Sequence, residues 1–165
     1  MNIERNATMK FQPVSIGLGA ILMVAALAVH AEPAAPTHGA CALLKPEDVT
    51  ALLGSTPVAK SKNDTCTWTV SGSPNKLIIA KYPETGMLAD MGYSTAQKSA
   101  AKGGAVVNVQ GVGERAFARL NQSGVLLVTI KQGKLLQVLY SPGAAGTDKD
   151  LDALKPVAAK AIAAF

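Results

Sequence analysis

The hydrophobic pattern changes period several times along the chain, and each change marks an element. An apolar run from Ile16 to Val29 comes first, preceded by Arg5 and Lys10 and followed by the Pro/Ala-rich stretch Glu32 to Gly39. Next, Val49, Leu52 and Leu53 fall on one face behind Pro46, with Glu47 and Asp48 in the first turn and Gly54 as the stop. That arrangement predicts a short helix. Thr65 to Val70 alternates strictly, with Cys66, Trp68 and Val70 on one side and Thr67 and Thr69 on the other, which predicts a half-buried strand. Ser71 to Asn75 reads as a turn and Leu77 to Tyr82 as the next strand, so the two strands form an antiparallel hairpin.

From Glu84 to Lys102 the pattern is helical but interrupted at Gly92-Tyr93, where Ser94 and Gln97 have the spacing of a fresh capping box. One bent helix or two short ones are expected. After Gly103-Gly104, Ala105 to Val109 is a third strand, Gly111 and Gly113 bracket a tight bend, and Glu114 to Leu120 is a fourth. Val125 to Ile130 and Leu135 to Tyr140, joined through Gln132-Gly133, are apolar on both faces and should be central or covered. Thr147 can cap a last helix carrying Leu151, Leu154, Ala158, Ile162 and Phe165 at helical intervals. Pro156 lies inside it and predicts a bend or break near Lys155. The order is thus helix, strands, helix, strands, helix. It predicts an α+β domain whose mostly antiparallel sheet of five to seven strands is backed by two or three helices.

The first 31 residues read as a secretory signal, with Val29-His30-Ala31 as a small-x-small cleavage site. Met9-Lys10 and the apolar run also make a complete signal by themselves, so Met1 and Met9 are both candidate starts. The apolar run is shorter than the roughly 20 residues that span a bilayer. Residues 32–40 then form a flexible leader and residues 41–165 a single secreted domain, periplasmic or released, peripheral to the membrane at most. His38-Gly39-Ala40 is a poor lipid-attachment box for Cys41. Cleavage after Ala31 leaves 14 basic and 10 acidic side chains, a mild positive balance that fits a solvated lysine-bearing surface. Nucleic acid is not an expected partner of such a chain, which has no basic cluster or stacking aromatics.

Export also bears on Cys41 and Cys66, the only two cysteines. In an oxidising compartment they have one internal pairing available; a free thiol pair and an intermolecular bridge are the alternatives. Two cysteines and one mature histidine are a poor zinc set.

These segments carry a resemblance. Cys41-x-Leu43-Leu44, the helix start Pro46-Glu47-Asp48-Val49 with Leu52-Leu53-Gly54, Cys66-x-Trp68 and Val112-Gly113-Glu114-x-Ala116-Phe117 occur in order. Together the segments resemble a family of small secreted bacterial proteins of unknown function, familiar as lipoproteins of actinobacteria. The resemblance implies a Cys41–Cys66 disulfide and a sheet backed by helices, akin to small α-β-α sandwiches. It brings no catalytic residues. The chain departs from that family in lacking the lipid-attached cysteine.

Little else suggests chemistry. A hydrolase triad needs a general base, but His30 falls within the signal and His38 within the leader. Asp148, Asp150 and Asp152 alternate at a helix start, where carboxylates complement the dipole. Gly111-Val112-Gly113 lacks the third glycine of a dinucleotide loop and reads as a turn. Met87 and Met91 are spaced to offer two thioethers to cuprous ion; with no third soft ligand nearby, core packing is the expectation. No metal, cofactor or catalytic residue is expected. The feature that stands out is Arg115, Phe117 and Arg119, which share one face of a predicted strand. Arginine makes forked bonds to carboxylate and phosphate, so these three residues are the candidate partner-binding face. The competing possibility is an exposed polar face with Ala116, Ala118 and Leu120 turned inward, or a bulge that buries Phe117. The expected function is a noncatalytic, monomeric envelope binding module for a protein or envelope component. Alternatives are an inhibitor or immunity-type protein of an exported enzyme and a carrier of a small lipophilic ligand.

Overall fold

The computed structural model describes residues 38–165; the signal (1–31) and residues 32–37 of the leader lie outside the described residues. A 3-10 helix (Gly39–Leu43) leads into α1 (Pro46–Leu53). Strands β1 (Val58–Lys62), β2 (Thr65–Thr69) and β3 (Lys76–Thr85) follow, then α2 (Met87–Lys102). Strands β4 (Val106–Val109), β5 (Arg115–Asn121), β6 (Gly124–Lys131) and β7 (Lys134–Ser141) precede the last helix, α3 (Asp148–Ala163). The strands form one seven-stranded sheet in the order β1-β2-β3-β7-β6-β5-β4, every neighbouring pair antiparallel. This is the expected α+β arrangement.

Strand alternation divides the core between two faces. On one, Trp68, Leu77, Ile79, Leu127 and Val138 pack with the 3-10 helix, α1 and α3. On the other, Phe117, Val128, Ile130 and Leu135 pack with Ala89, Tyr93 and Ala100 of α2. Strands β6 and β7, apolar on both sides, lie inside the sheet with helices over both faces, as their pattern requires. Cys41 and Cys66 form a disulfide with Cα atoms 4.9 Å apart, and both are fully buried. The bridge ties the 3-10 helix to β2 beside Trp68. Gly39 and Ala40, assigned to the leader from sequence, belong to that helix, and Ala40 is buried.

Four points refine or correct the expectations. Of the two alternatives for α2, one helix or two short ones, the chain forms one, running through Gly92 without a new start at Ser94. Ala89, Tyr93, Ala96 and Ala100 make one continuous stripe against the sheet, and a Cβ on Gly92 would lie 3.1 Å from Leu135 Cδ2, so the small residue serves close approach to β7. Met87 and Met91 are not core: they are 79% and 60% exposed on the outer side of α2. Strand β1 was not anticipated, because only Ala59 of its five residues is even half-buried.

The fourth concerns α3, which continues through Pro156. Six buried side chains, Leu151 to Ile162, dock this helix, and Pro156 lies on its exposed side where water can satisfy the freed carbonyl. Tertiary packing outweighs the local penalty. Because that penalty is still present, Pro156→Ala is expected to raise stability. The helix-propensity gain of about 3 kcal/mol, less about 1 for the looser unfolded chain, leaves about 2 kcal/mol, measurable as an increased urea midpoint with an unchanged slope.

Candidate functional site

Alternation along β5 puts Arg115, Phe117 and Arg119 on one face, and that face lies under α2. Phe117 is fully buried and meets the Tyr93 ring edge-to-face, centroids 5.3 Å apart. Arg115 pairs with the carboxylate of Asp90 in the first turn of α2, and its guanidinium sits 4.9 Å from the Tyr93 ring centroid. At the far end, a Cβ on Gly103 would lie 2.6 Å from Arg119 Nη1. The Arg119 guanidinium therefore packs against the C-cap of α2, where the helix dipole is negative. Arg119 Nε is buried with no hydrogen-bond partner among the described residues. The three residues together form the floor on which α2 sits. Phe117 has no surface left for a partner; Arg119 is partly exposed, and the most open part of the strip is Arg115, whose side chain is 51% exposed.

That edge opens into a groove of about 330 Å³ between α2 and the β4–β5 edge, lined by Tyr93, Gln97, Asn108, Val109, Gln110, Glu114, Arg115 and Ala116. Tyr93 and Gln97 lie one turn apart on α2, and Asn108 faces Phe117 across the β4–β5 ladder. Glu114 is held by the β6–β7 turn: its Oε1 accepts a 3.0 Å hydrogen bond from the Gln132 backbone N–H. Gln132 and Gly133 both have positive φ, +50° and +68°, as a tight two-residue hairpin requires. The neighbouring bend is fixed from below. Thr129, buried, donates to the Val112 carbonyl at 3.0 Å, and a Cβ on Gly113 would lie 2.7 Å from the Ile130 carbonyl oxygen. The Gly111-Val112-Gly113 segment is thus a structural turn.

Burial pushes the Tyr93 phenol above its ordinary pKa, partly opposed by the Arg115 charge. The side chains of Gln97, Asn108 and Gln110 make no intramolecular hydrogen bond among the described residues. The groove therefore presents three unengaged amides, a carboxylate, a guanidinium and a phenol ring, a set suited to hydrogen-bonding a polar ligand. Sequence reasoning found Arg115 and missed the amides. They come from α2, β4 and the following loop, and nothing in their spacing marks them.

A second groove, of about 270 Å³, runs between α1 and α3 and is lined mainly by Ala51, Leu52, Ala153, Pro156 and Val157. Lys160 Nζ meets Asp48 Oδ1 there at 2.6 Å. The hydrogen bond from Lys160 holds the Asp48 carboxyl below its ordinary pKa; partial burial opposes this, and the Lys45 backbone N–H assists it. With the folded pKa depressed, the contribution is complete above the unfolded value near 4 and is lost as pH falls through the folded value. Asp48→Asn is accordingly expected to flatten the stability profile below about pH 4, leaving the profile at higher pH parallel to wild type in acid-titrated urea melts.

His38 is exposed at the start of the described chain. No group of three His, Cys, Asp or Glu side chains able to hold a metal ion occurs among the described residues. Comparison with protein-family models, with curated proteins and with solved structures finds no match to this chain.

Proposed function

We propose that the chain is an exported, noncatalytic binding module of the cell envelope, with the groove beside Arg115 as its ligand seat. The observation that carries this reading is the cluster of unengaged Gln97, Asn108 and Gln110 amides around a half-exposed arginine. Buried polar groups find partners, and exposed ones gathered in a groove are available to a ligand. Export is supported by the amino-terminal signal pattern and by the buried disulfide, which persists in oxidising compartments. No helix among the described residues is long and apolar enough to cross a membrane. The ligand is a protein or envelope component, and the module acts as a monomer. Membership of the small secreted family noted from the ordered motifs belongs to the same proposal.

The test is retention of envelope components on immobilised oxidised protein, comparing wild type with Gln97→Ala/Asn108→Ala. Neither replaced side chain makes a hydrogen bond among the described residues, and circular dichroism checks that the variant is folded. The proposal expects a component held by wild type and lost by the variant. Equal retention by both proteins would remove the groove from consideration.

A further inference from the structure

The side of the sheet that carries α2 is only partly covered. The helix packs over β3 to β7, and the outward faces of β1 and β2, with the adjoining end of β3, stay open. Cys66 and Trp68 point into the core, so Thr65, Thr67 and Thr69 point the other way, onto this open face. Each threonine has a lysine as its cross-strand neighbour: Lys62 beside Thr65, Lys60 beside Thr67 and Lys76 beside Thr69. The three lysines are exposed, and none is ion-paired among the described residues.

Lysines on an edge strand guard against unwanted pairing, which accounts for Lys60 and Lys62. It does not account for Lys76, on an inner strand; the threonines suit any solvent-facing strand, and what is particular to them here is that each has a lysine beside it. Lys60 and Lys62 on β1 and Lys76 on β3 set three positive charges around the β2 threonines, with Asp64 of the β1–β2 turn as the one carboxylate beside them; an anionic partner complements that excess of positive charge. The shape narrows the choice of anion. Because α2 stands on the same side of the sheet, the open face is a shelf beside a wall. A planar bilayer cannot lie flat in such a step, whereas an extended chain can run along it. Threonine hydroxyls both donate and accept, which matches a polymer carrying hydroxyls as well as charges.

We infer that the shelf formed by Thr65, Thr67, Thr69, Lys60, Lys62 and Lys76 is a docking surface for a linear anionic polysaccharide. It is separate from the Arg115 groove and does not rest on that assignment. The probe is polygalacturonate, a linear uronic-acid polymer, titrated calorimetrically into the oxidised protein at low salt, with dextran as the neutral control. Polygalacturonate should bind and dextran should not. Lys60→Gln/Lys62→Gln/Lys76→Gln should weaken binding on the order of a hundredfold, taking about a fivefold factor for each lysine near an anionic surface. Lys45→Gln/Lys149→Gln/Lys155→Gln, which removes the same charge from the α1–α3 side, should bind within a few-fold of wild type. Gln97→Ala/Asn108→Ala should bind as wild type does, which separates this surface from the groove. Circular dichroism on every variant confirms folding. Equal loss in the two lysine triples would reduce the effect to net charge and overturn the assignment. So would loss in the groove variant, or binding to phosphatidylglycerol vesicles without binding to polygalacturonate.

Discussion

Replacing Cys41 and Cys66 together with alanine is expected to cost about 3–4 kcal/mol of folding stability. The bridge closes a loop with a sequence separation of 25, and the chain-entropy relation gives roughly 3.5 kcal/mol for a ring of that size. Both sulfurs are fully buried between the 3-10 helix and β2, so the bridge also anchors the start of the domain against Trp68. Against a typical total of about 5–15 kcal/mol, this is a large fraction, and the reduced protein should melt well below the oxidised one. Urea melts of oxidised wild type, reduced wild type and the double variant measure it. A difference under about 1 kcal/mol between oxidised wild type and the variant would mean that packing around the 3-10 helix already supplies the restraint attributed to the bridge.

The second large effect lies at Phe117. Truncation to alanine removes a fully buried ring from between α2 and the sheet, with an expected cost of about 3–5 kcal/mol. Amide exchange should quicken along Met87–Lys102 more than elsewhere, because Phe117 and Tyr93 form the contact at the middle of that helix. Arg115→Gln is expected to cost under about 1 kcal/mol, since its pair with Asp90 is about half exposed on both sides. The two variants separate two positions that share one strand face: Phe117 is buried under α2, and Arg115 stays half exposed. A small loss in Phe117→Ala, with α2 exchange unchanged, would contradict the role assigned to the ring.

Much of this fold is legible in the sequence, for identifiable reasons. Trp68 and Cys66 alternate with threonines, so both strand β2 and its inward face follow from periodicity. Thr147 and Asp150 form the reciprocal cap that opens α3. What could not be read depends on tertiary context. Strand β1 has almost no apolar signal because it is a polar edge strand held by its ladder to β2. Gly92 and Pro156 are local breakers overruled by packing on the sheet, an influence that window-based reasoning does not contain. The Arg115-Phe117-Arg119 face was visible as a pattern, but α2, thirteen residues or more upstream in sequence, decides what covers it. Met87 and Met91 show the converse. An apolar pair at helical spacing suggested core, yet the buried stripe of α2 is built from alanines and Tyr93. The groove amides depend on topology alone, since they meet only when α2 and β4 are brought to the same edge of the sheet.

The most direct test of the proposed binding module is an NMR titration of the isotopically labelled, oxidised protein with soluble fragments released from the envelope. Perturbations are expected at the side-chain amides of Gln97, Asn108 and Gln110 and at the backbone of Glu114 and Arg115, with the α1–α3 groove around Ala51 and Val157 unchanged. Shifts confined to that second groove, or to the β1–β2 shelf, would contradict the assignment of the Arg115 groove as the ligand seat.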